Sequence, residues 1–215
     1  MKIIRDSNEH EMILAFLKGE INSNRFNNAL MKVLKKLCLD KDIIIKGDIN
    51  NDNENKERLE IMKLFRGYPT KELFKNFPDI LQWKLIKLSS NDINNIYYIN
   101  YDYWNELSNN TSSPVEAAKS INNGIEIYGV SNKQFLDVIK YLEKNKFPPV
   151  ILITCSEEKY LIIEGHLRMT VYGLEPSKLE GTYAYVGYCT PEEMEKYDPR
   201  MLINNASDSK SKKLI

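Results

Sequence analysis

Residues 160–174 read YLIIEGHLRMTVYGL, and the fold of the chain turns on how this stretch is parsed. Leu161, Ile162 and Ile163 form a short apolar run with β-branched character, the pattern of a strand buried on both faces. The run stops at Glu164-Gly165-His166. Beyond it Leu167, Thr170 or Val171, and Leu174 recur at helical spacing, and Pro176 closes the segment. The stretch predicts a strand, a sharp turn and a helix.

Such a turn has chemical consequences. Gly165 can take backbone angles that a Cβ forbids and lets a ligand approach the main chain. The amides of His166, Leu167 and Arg168 become first-turn donors, and with the positive end of the helix macrodipole they make an anion site, most often for phosphate. Arg168 adds a guanidinium suited to gripping phosphate oxygens in pairs. His166, one of two histidines in the chain, is placed to orient a phosphate or carry a proton. A purely structural reading stays open beside this one. Gly165 then serves the turn, Glu164 caps the helix electrostatically, and Arg168 pairs with a carboxylate. A lone Gly-x-x-Arg does not separate the two.

Working outward, 215 residues allow one sizeable domain or two small ones. At 42% hydrophobic and 28% charged, the composition is that of an ordinary globular protein. Thirty basic and thirty acidic residues cancel, which argues against broad, non-specific binding to nucleic acid. No run approaches a membrane span and the first residues, MKIIRDSNEHEM, carry no signal-peptide core, so a cytoplasmic protein without membrane partners is expected. Cys38, Cys155 and Cys189 are odd in number and widely spaced, which fits buried thiols in a reducing compartment.

Residues 1–80 read as an all-helical region. Ser7 is the expected cap of a helix bearing Met12, Ile13, Phe16 and Leu17, and Asn24 that of a second bearing Leu30, Leu34 and Leu37. GDINNDNEN (47–55) reads as a solvated loop, its spacing missing that of an EF-hand, with helix resuming at 57. RGYPTKELFKNFPDI (66–80) reads as a short helix between prolines. WKLIKL (83–88) alternates as a strand, and Ser90-Asn91-Asp92 caps a short turn. Tyr97, Tyr98, Tyr101, Tyr103 and Trp104 either stack on a base or pack with their hydroxyls at the surface. Capping boxes at Ser113, Ser131 and Thr190 open three further helices. Residues 150–154 and 183–189 are strands, the first forming a hairpin with 160–164. Residues 198–215 form a polar tail expected to be disordered.

In this order the elements define an α+β chain, and over 83–193 it resembles the ParB/sulfiredoxin-like superfamily. In that superfamily a proline-bearing segment leads into a strand, a hairpin follows, and the next helix opens with a Gly-x-x-Arg motif that holds nucleotide phosphates. Gly165, His166 and Arg168 match that motif in its Gly-His-x-Arg form, which is closer to the free serine kinase branch and to sulfiredoxin than to the Gly-Glu-Arg-Arg of ParB partition proteins. Sulfiredoxin's catalytic cysteine position is Gly165 here, which argues against sulfinic-acid reduction, and neither the Glu-Asn-x-x-Arg motif nor the later DNA-binding helices of the partition proteins are found.

The resemblance implies a domain over 81–197 with a small mixed sheet and flanking helices, preceded by the helical region over 1–80. It implies a nucleotide ligand (ATP, ADP or CTP) with Mg²⁺. Gly165, His166, Leu167 and Arg168 are the expected phosphate-binding residues, Glu164 and His166 the expected catalytic pair, and Glu164 with Asp92 the expected metal ligands. Two functions follow: a nucleotide-dependent phosphotransferase or hydrolase, or a non-catalytic, nucleotide-switched module whose N-terminal helices meet a protein partner, with nucleic acid disfavoured by the neutral charge.

Overall fold

The computed structural model describes residues 1–23, 25–142 and 147–202. A strand, β1 (Lys2–Ser7), precedes the helices α1 (Glu9–Glu20), α2 (Asn27–Lys36), α3 (Asp42–Ile45) and α4 (Asp52–Arg66). After them come β2 (Gln82–Lys87), a 3-10 turn over Ser90–Asn95, β3 (Ile96–Tyr97), α5 (Asp102–Leu107), α6 (Pro114–Asn122) and α7 (Lys133–Leu142). The hairpin β4 (Val150–Thr154) and β5 (Tyr160–Glu164) leads into α8 (His166–Leu174), then β6 (Tyr183–Tyr188) and α9 (Pro191–Tyr197).

These elements build one mixed open sheet of six strands in the order β1-β2-β6-β4-β5-β3. β1/β2, β2/β6 and β4/β5 are antiparallel, whereas β4/β6 and β3/β5 are parallel. The hairpin places Glu164 opposite Ile151, and β4 runs beside β6 with Val150 opposite Ala184. The start of β4 and the end of β5 therefore lie at one end of the sheet. Glu164-Gly165 leaves the sheet there.

Side chains alternate across a strand, and in β4 and β5 both sets are apolar. Ile151, Ile153, Leu161 and Ile163 face a core completed by Met12, Phe16 and Leu17 of α1 and Ile61 and Phe65 of α4. Val150, Leu152, Tyr160 and Ile162 face a second core completed by Ala117 and Ile121 of α6 and Met169 and Val171 of α8. Every residue of β4 is buried. The N-terminal helices thus cover one face of the sheet, and α6 and α8 cover the other.

The strands expected at 83, 150, 160 and 183 form, as do the helices opened by Ser113 and Thr190, whose hydroxyls accept from the amides of Val115 and Glu193. Four expectations for the N-terminal part need correction. Residues 2–7 are an edge strand, so the region is not all-helical; backbone pairing with β2 outweighs the weak helical pattern. Asn8 rather than Ser7 caps α1, accepting from the Glu11 amide, while the Ser7 hydroxyl binds the Glu11 carboxylate. The stretch 47–55 contains the start of a helix, because Asn51 accepts from the amides of Asn53 and Glu54. Between the prolines after α4 only a 3-10 turn, Glu72–Phe74, forms.

The cap expected at Asn24 lies outside the described residues. Residues 198–202, assigned to the tail from the sequence, belong to the fold. Arg200 donates to Ser112 Oγ (2.6 Å), to the Tyr98 carbonyl (3.1 Å) and to Asp198, itself 4% exposed. The remainder of that stretch, 203–215, lies outside the described residues.

α6 and α8 cross closely at Gly173, where an added Cβ would lie 2.4 Å from the Pro114 carbonyl oxygen. Gly173→Ala should cost about 1–3 kcal/mol of stability through overpacking. Thermal unfolding checks this, and an unchanged midpoint would contradict so close a crossing.

Candidate functional site

β5 delivers the chain to Gly165 at the sheet end, and the turn needs glycine on two counts. Its φ is +106°, in the region that side chains disfavour, and a Cβ there would stand 2.7 Å from Val150 Cγ1. α8 begins at the next residue. No acceptor among the described residues engages the amides of His166, Leu167 and Arg168; the first helical bond to cross the turn is Met169 N to Gly165 O at 2.8 Å. That matches the expected set of free donors at a helix start.

Arg168 departs from its expected role. It is 7% exposed and its guanidinium faces inward. Nη1 donates to the carbonyls of Pro148 (2.5 Å) and Pro149 (3.2 Å), and Nη2 donates to the Glu164 carboxylate. Burial pushes its pKa down to about 10, which leaves it charged at neutral pH. Arg168 and Glu164 therefore fasten three pieces together: the end of β5, the first turn of α8 and the diproline entry to β4. The structural reading of Arg168, pairing with a carboxylate, is the one realised, although that carboxylate is the neighbouring Glu164. The last turn of α1 presses on this pair, since a Cβ on Gly19 would lie 3.4 Å from both Arg168 Nη2 and Glu164 Cδ.

His166 stands apart from Glu164. Its ring lies under Trp104 (centroids 5.5 Å) and near Tyr98 (6.0 Å), with the three planes close to parallel. Tyr98 is wholly buried and its hydroxyl meets Thr170 Oγ1 at 2.7 Å. His166 Nε2 is shielded from solvent and has no hydrogen-bond partner among the described residues. Desolvation, reinforced by the positive charge of Arg66, pushes its pKa down to about 3. The imidazole is thus neutral at physiological pH, suited to a hydrogen bond and poorly suited to carrying a proton.

The aromatic run divides. The rings of Tyr98 and Trp104 stack with that of His166, Tyr103 meets Trp104 edge-on, Tyr97 packs on the core beneath the N-terminal helices, and Tyr101 is exposed. For Tyr98 this is the packing reading of the run, with the hydroxyl satisfied inside rather than at the surface.

Asp92 closes a capping box on the 3-10 turn, its Oδ2 accepting from the amide (2.7 Å) and hydroxyl (2.9 Å) of Ser89, while Oδ1 accepts from the Met1 nitrogen at 2.8 Å. Its contacts and those of Glu164 have no residue in common among the described residues. No group of three or more His, Cys, Asp or Glu side chains with metal-binding geometry is present among the described residues. With Glu164 tied to Arg168 and Asp92 tied to its cap, this donor set does not fit a protein-held Mg²⁺.

One part of the site was not anticipated from the sequence. Arg66, at the last position of α4, lies close enough to His166 to depress its pKa, and its own Nε is buried without a partner among the described residues. Its guanidinium lies 4.7 Å from the Phe26 ring centroid, and that of Arg25 lies 4.9 Å from the same ring. Glu20, 5% exposed, faces Arg66, Arg168 and Arg25, and burial still raises its pKa against their attraction. More than ninety residues separate Arg66 from the turn in sequence, so no local motif signals the approach.

No protein-family model matches the chain, and no curated protein or solved structure does. No helix among the described residues is long and apolar enough to cross a membrane.

Two outcomes check the site. Arg168→Ala strands the Glu164 carboxylate and two carbonyls, so it should lower stability by about 3–5 kcal/mol in urea denaturation; an unchanged midpoint would return Arg168 to a surface role. For His166, the unfolded chain takes up a proton near about pH 6.5 and the folded chain only near pH 3. Stability tied to the neutral ring is complete above the unfolded pKa and drains as pH falls through that window. The melting temperature should drop between about pH 7 and about pH 5, and His166→Gln should flatten that slope.

Proposed function

We propose that this chain is a nucleotide-binding protein of the ParB/sulfiredoxin-like type, in which the start of α8 receives the phosphates of ATP, ADP or CTP. The observation that carries this reading is the combination at one turn of free first-turn amides and a buried, unpartnered imidazole nitrogen next to Gly165. Backbone donors at a helix N-terminus suit phosphate oxygens, and the neutral imidazole joins them in the tautomer that carries its proton on Nε2. Arg168 and Glu164 hold that turn in shape rather than grip the ligand.

Between the two functional classes, the binding module is favoured over the phosphotransferase or hydrolase. An enzyme needs a free carboxylate or proton carrier at the phosphate. Here Glu164 and Asp92 are engaged, and His166 holds no exchangeable charge near neutrality. Any Mg²⁺ arrives on the nucleotide. The last turn of α1, which lies against Glu164 and Arg168, is the element that a bound nucleotide would influence.

Purified protein should melt at higher temperature with at least one of ATP, ADP, CTP or GTP, by an amount equivalent to about 2.7 kcal/mol at a hundredfold excess over Kd. No phosphate should be released over the same period. Absence of a shift with every nucleotide, with and without Mg²⁺, would refute nucleotide binding, and steady phosphate release would restore the enzymatic reading.

A further inference from the structure

α1 buries more than one face. Met12, Ile13, Phe16 and Leu17 enter the core against the sheet. Glu11, Leu14, Ala15 and Lys18, at the i, i+3, i+4, i+7 spacing of one helical stripe, line a cavity instead. Leu14 and Ala15 are 6% and 7% exposed, yet neither belongs to either apolar core. The remaining walls are Arg5 of β1, Tyr185 of β6, Ile49 and the diproline segment. The cavity measures about 250 Å³, a little under the usual range of small-molecule sites.

Buried polar side chains pin these walls in place. Arg168 holds the carbonyls of Pro148 and Pro149. Asn55 donates to the Ile49 carbonyl (2.7 Å), and the wholly buried Arg58 donates to the adjoining Asp48 carbonyl (2.7 Å). The Glu11 carboxylate accepts from Arg5 Nη1 (2.9 Å), Arg5 Nη2 (2.7 Å) and Ser7 Oγ (2.9 Å). A cavity whose walls are fixed before anything enters needs little reordering to bind. Arg5 and Glu11 neutralise each other, which leaves Lys18 as the uncompensated charge of the lining; it makes no ion pair among the described residues. Burial, reinforced by the Glu11 charge, raises the Tyr185 pKa and keeps its hydroxyl a neutral donor. The seven residues from Glu11 to Lys18 span about 10 Å of helix, so the free cation and the Arg5–Glu11 pair stand at opposite ends of the apolar stripe.

We propose that this cavity is a ligand site of its own, apart from the start of α8, and that it takes a small monocarboxylate carrying an apolar chain or ring. The carboxylate pairs with Lys18, and the apolar body lies along Leu14 and Ala15 against Ile49 and the prolines. An amine of the same shape meets Lys18 with like charge and finds Glu11 already engaged by Arg5 and Ser7. An uncharged amide leaves Lys18 unmatched. The inference does not depend on nucleotide binding, since none of the cavity's lining residues belongs to the turn at Gly165.

Titration of the full chain with 3-phenylpropionate, 3-phenylpropanamide and 3-phenylpropylamine, followed by amide NMR shifts, tests this. The acid should saturate at millimolar concentration and shift the amides of Glu11, Leu14, Ala15, Lys18, Ile49 and Tyr185. The amide and the amine should bind at least about tenfold more weakly, the effect of one charge-assisted hydrogen bond. Lys18→Gln, at a partly exposed position, should weaken the acid by a similar factor without altering the circular dichroism spectrum. Ala15→Leu grows into the cavity and should block the acid altogether; Lys18→Gln carries the test if that variant misfolds. An acid that does not saturate, that shifts amides elsewhere in the fold, that binds no better than the amine, or that ignores Lys18→Gln overturns the inference.

Discussion

Burial of β4 and β5 on both faces is the constraint from which the rest of the structure follows. The two five-residue strands of this hairpin carry only Thr154 and the Tyr160 hydroxyl as polar side-chain groups before Glu164, and a sheet of that kind is stable only if each face is covered. One cover is supplied by α6 and α8, the other by α1 and α4. The N-terminal helices are therefore a structural layer over the sheet, and α1 is buried along most of its length for that reason. β1, left at the open edge, is mostly exposed and carries Lys2, Arg5 and Asp6, charges of the kind that keep a free edge from pairing indiscriminately.

The same constraint shapes the turn. A strand buried on both faces must leave the sheet abruptly for a helix to pack on one side. Gly165 makes that exit possible, and the space for it is bounded by Val150 on the adjacent strand. Once α8 lies against α6, Arg168 projects toward the diproline segment rather than toward solvent. Its charge is then balanced by Glu164 and its remaining donors by backbone carbonyls, as burial demands. The arginine of the Gly-x-x-Arg pattern consequently acts on the protein's own backbone.

That division explains why local patterns identified some residues of the site and missed others. Gly165, His166 and the free amides are consequences of a strand-turn-helix junction, which periodicity and a glycine reveal without any tertiary knowledge. The caps at Ser113 and Thr190 were legible for the same reason, as each side chain bonds an amide two or three residues away. β1 was not, because its only partner, β2, follows some eighty residues later and the six residues themselves carry no clear alternation. Asp92 was recognised as a cap, and its carboxylate does close that cap, engaged by Ser89 and by the Met1 nitrogen.

By itself the sequence determined the central hairpin, the turn at Gly165, the helix that starts there and most of the capped helices, since all of these depend on interactions within a few residues. Only the tertiary structure decided that Arg168 turns inward, and that His166 is neutral beneath Trp104 and feels the charge of Arg66. Those outcomes depend on burial and on charges brought together from distant segments. Desolvation is a property of the assembled layers, and no window of sequence contains it.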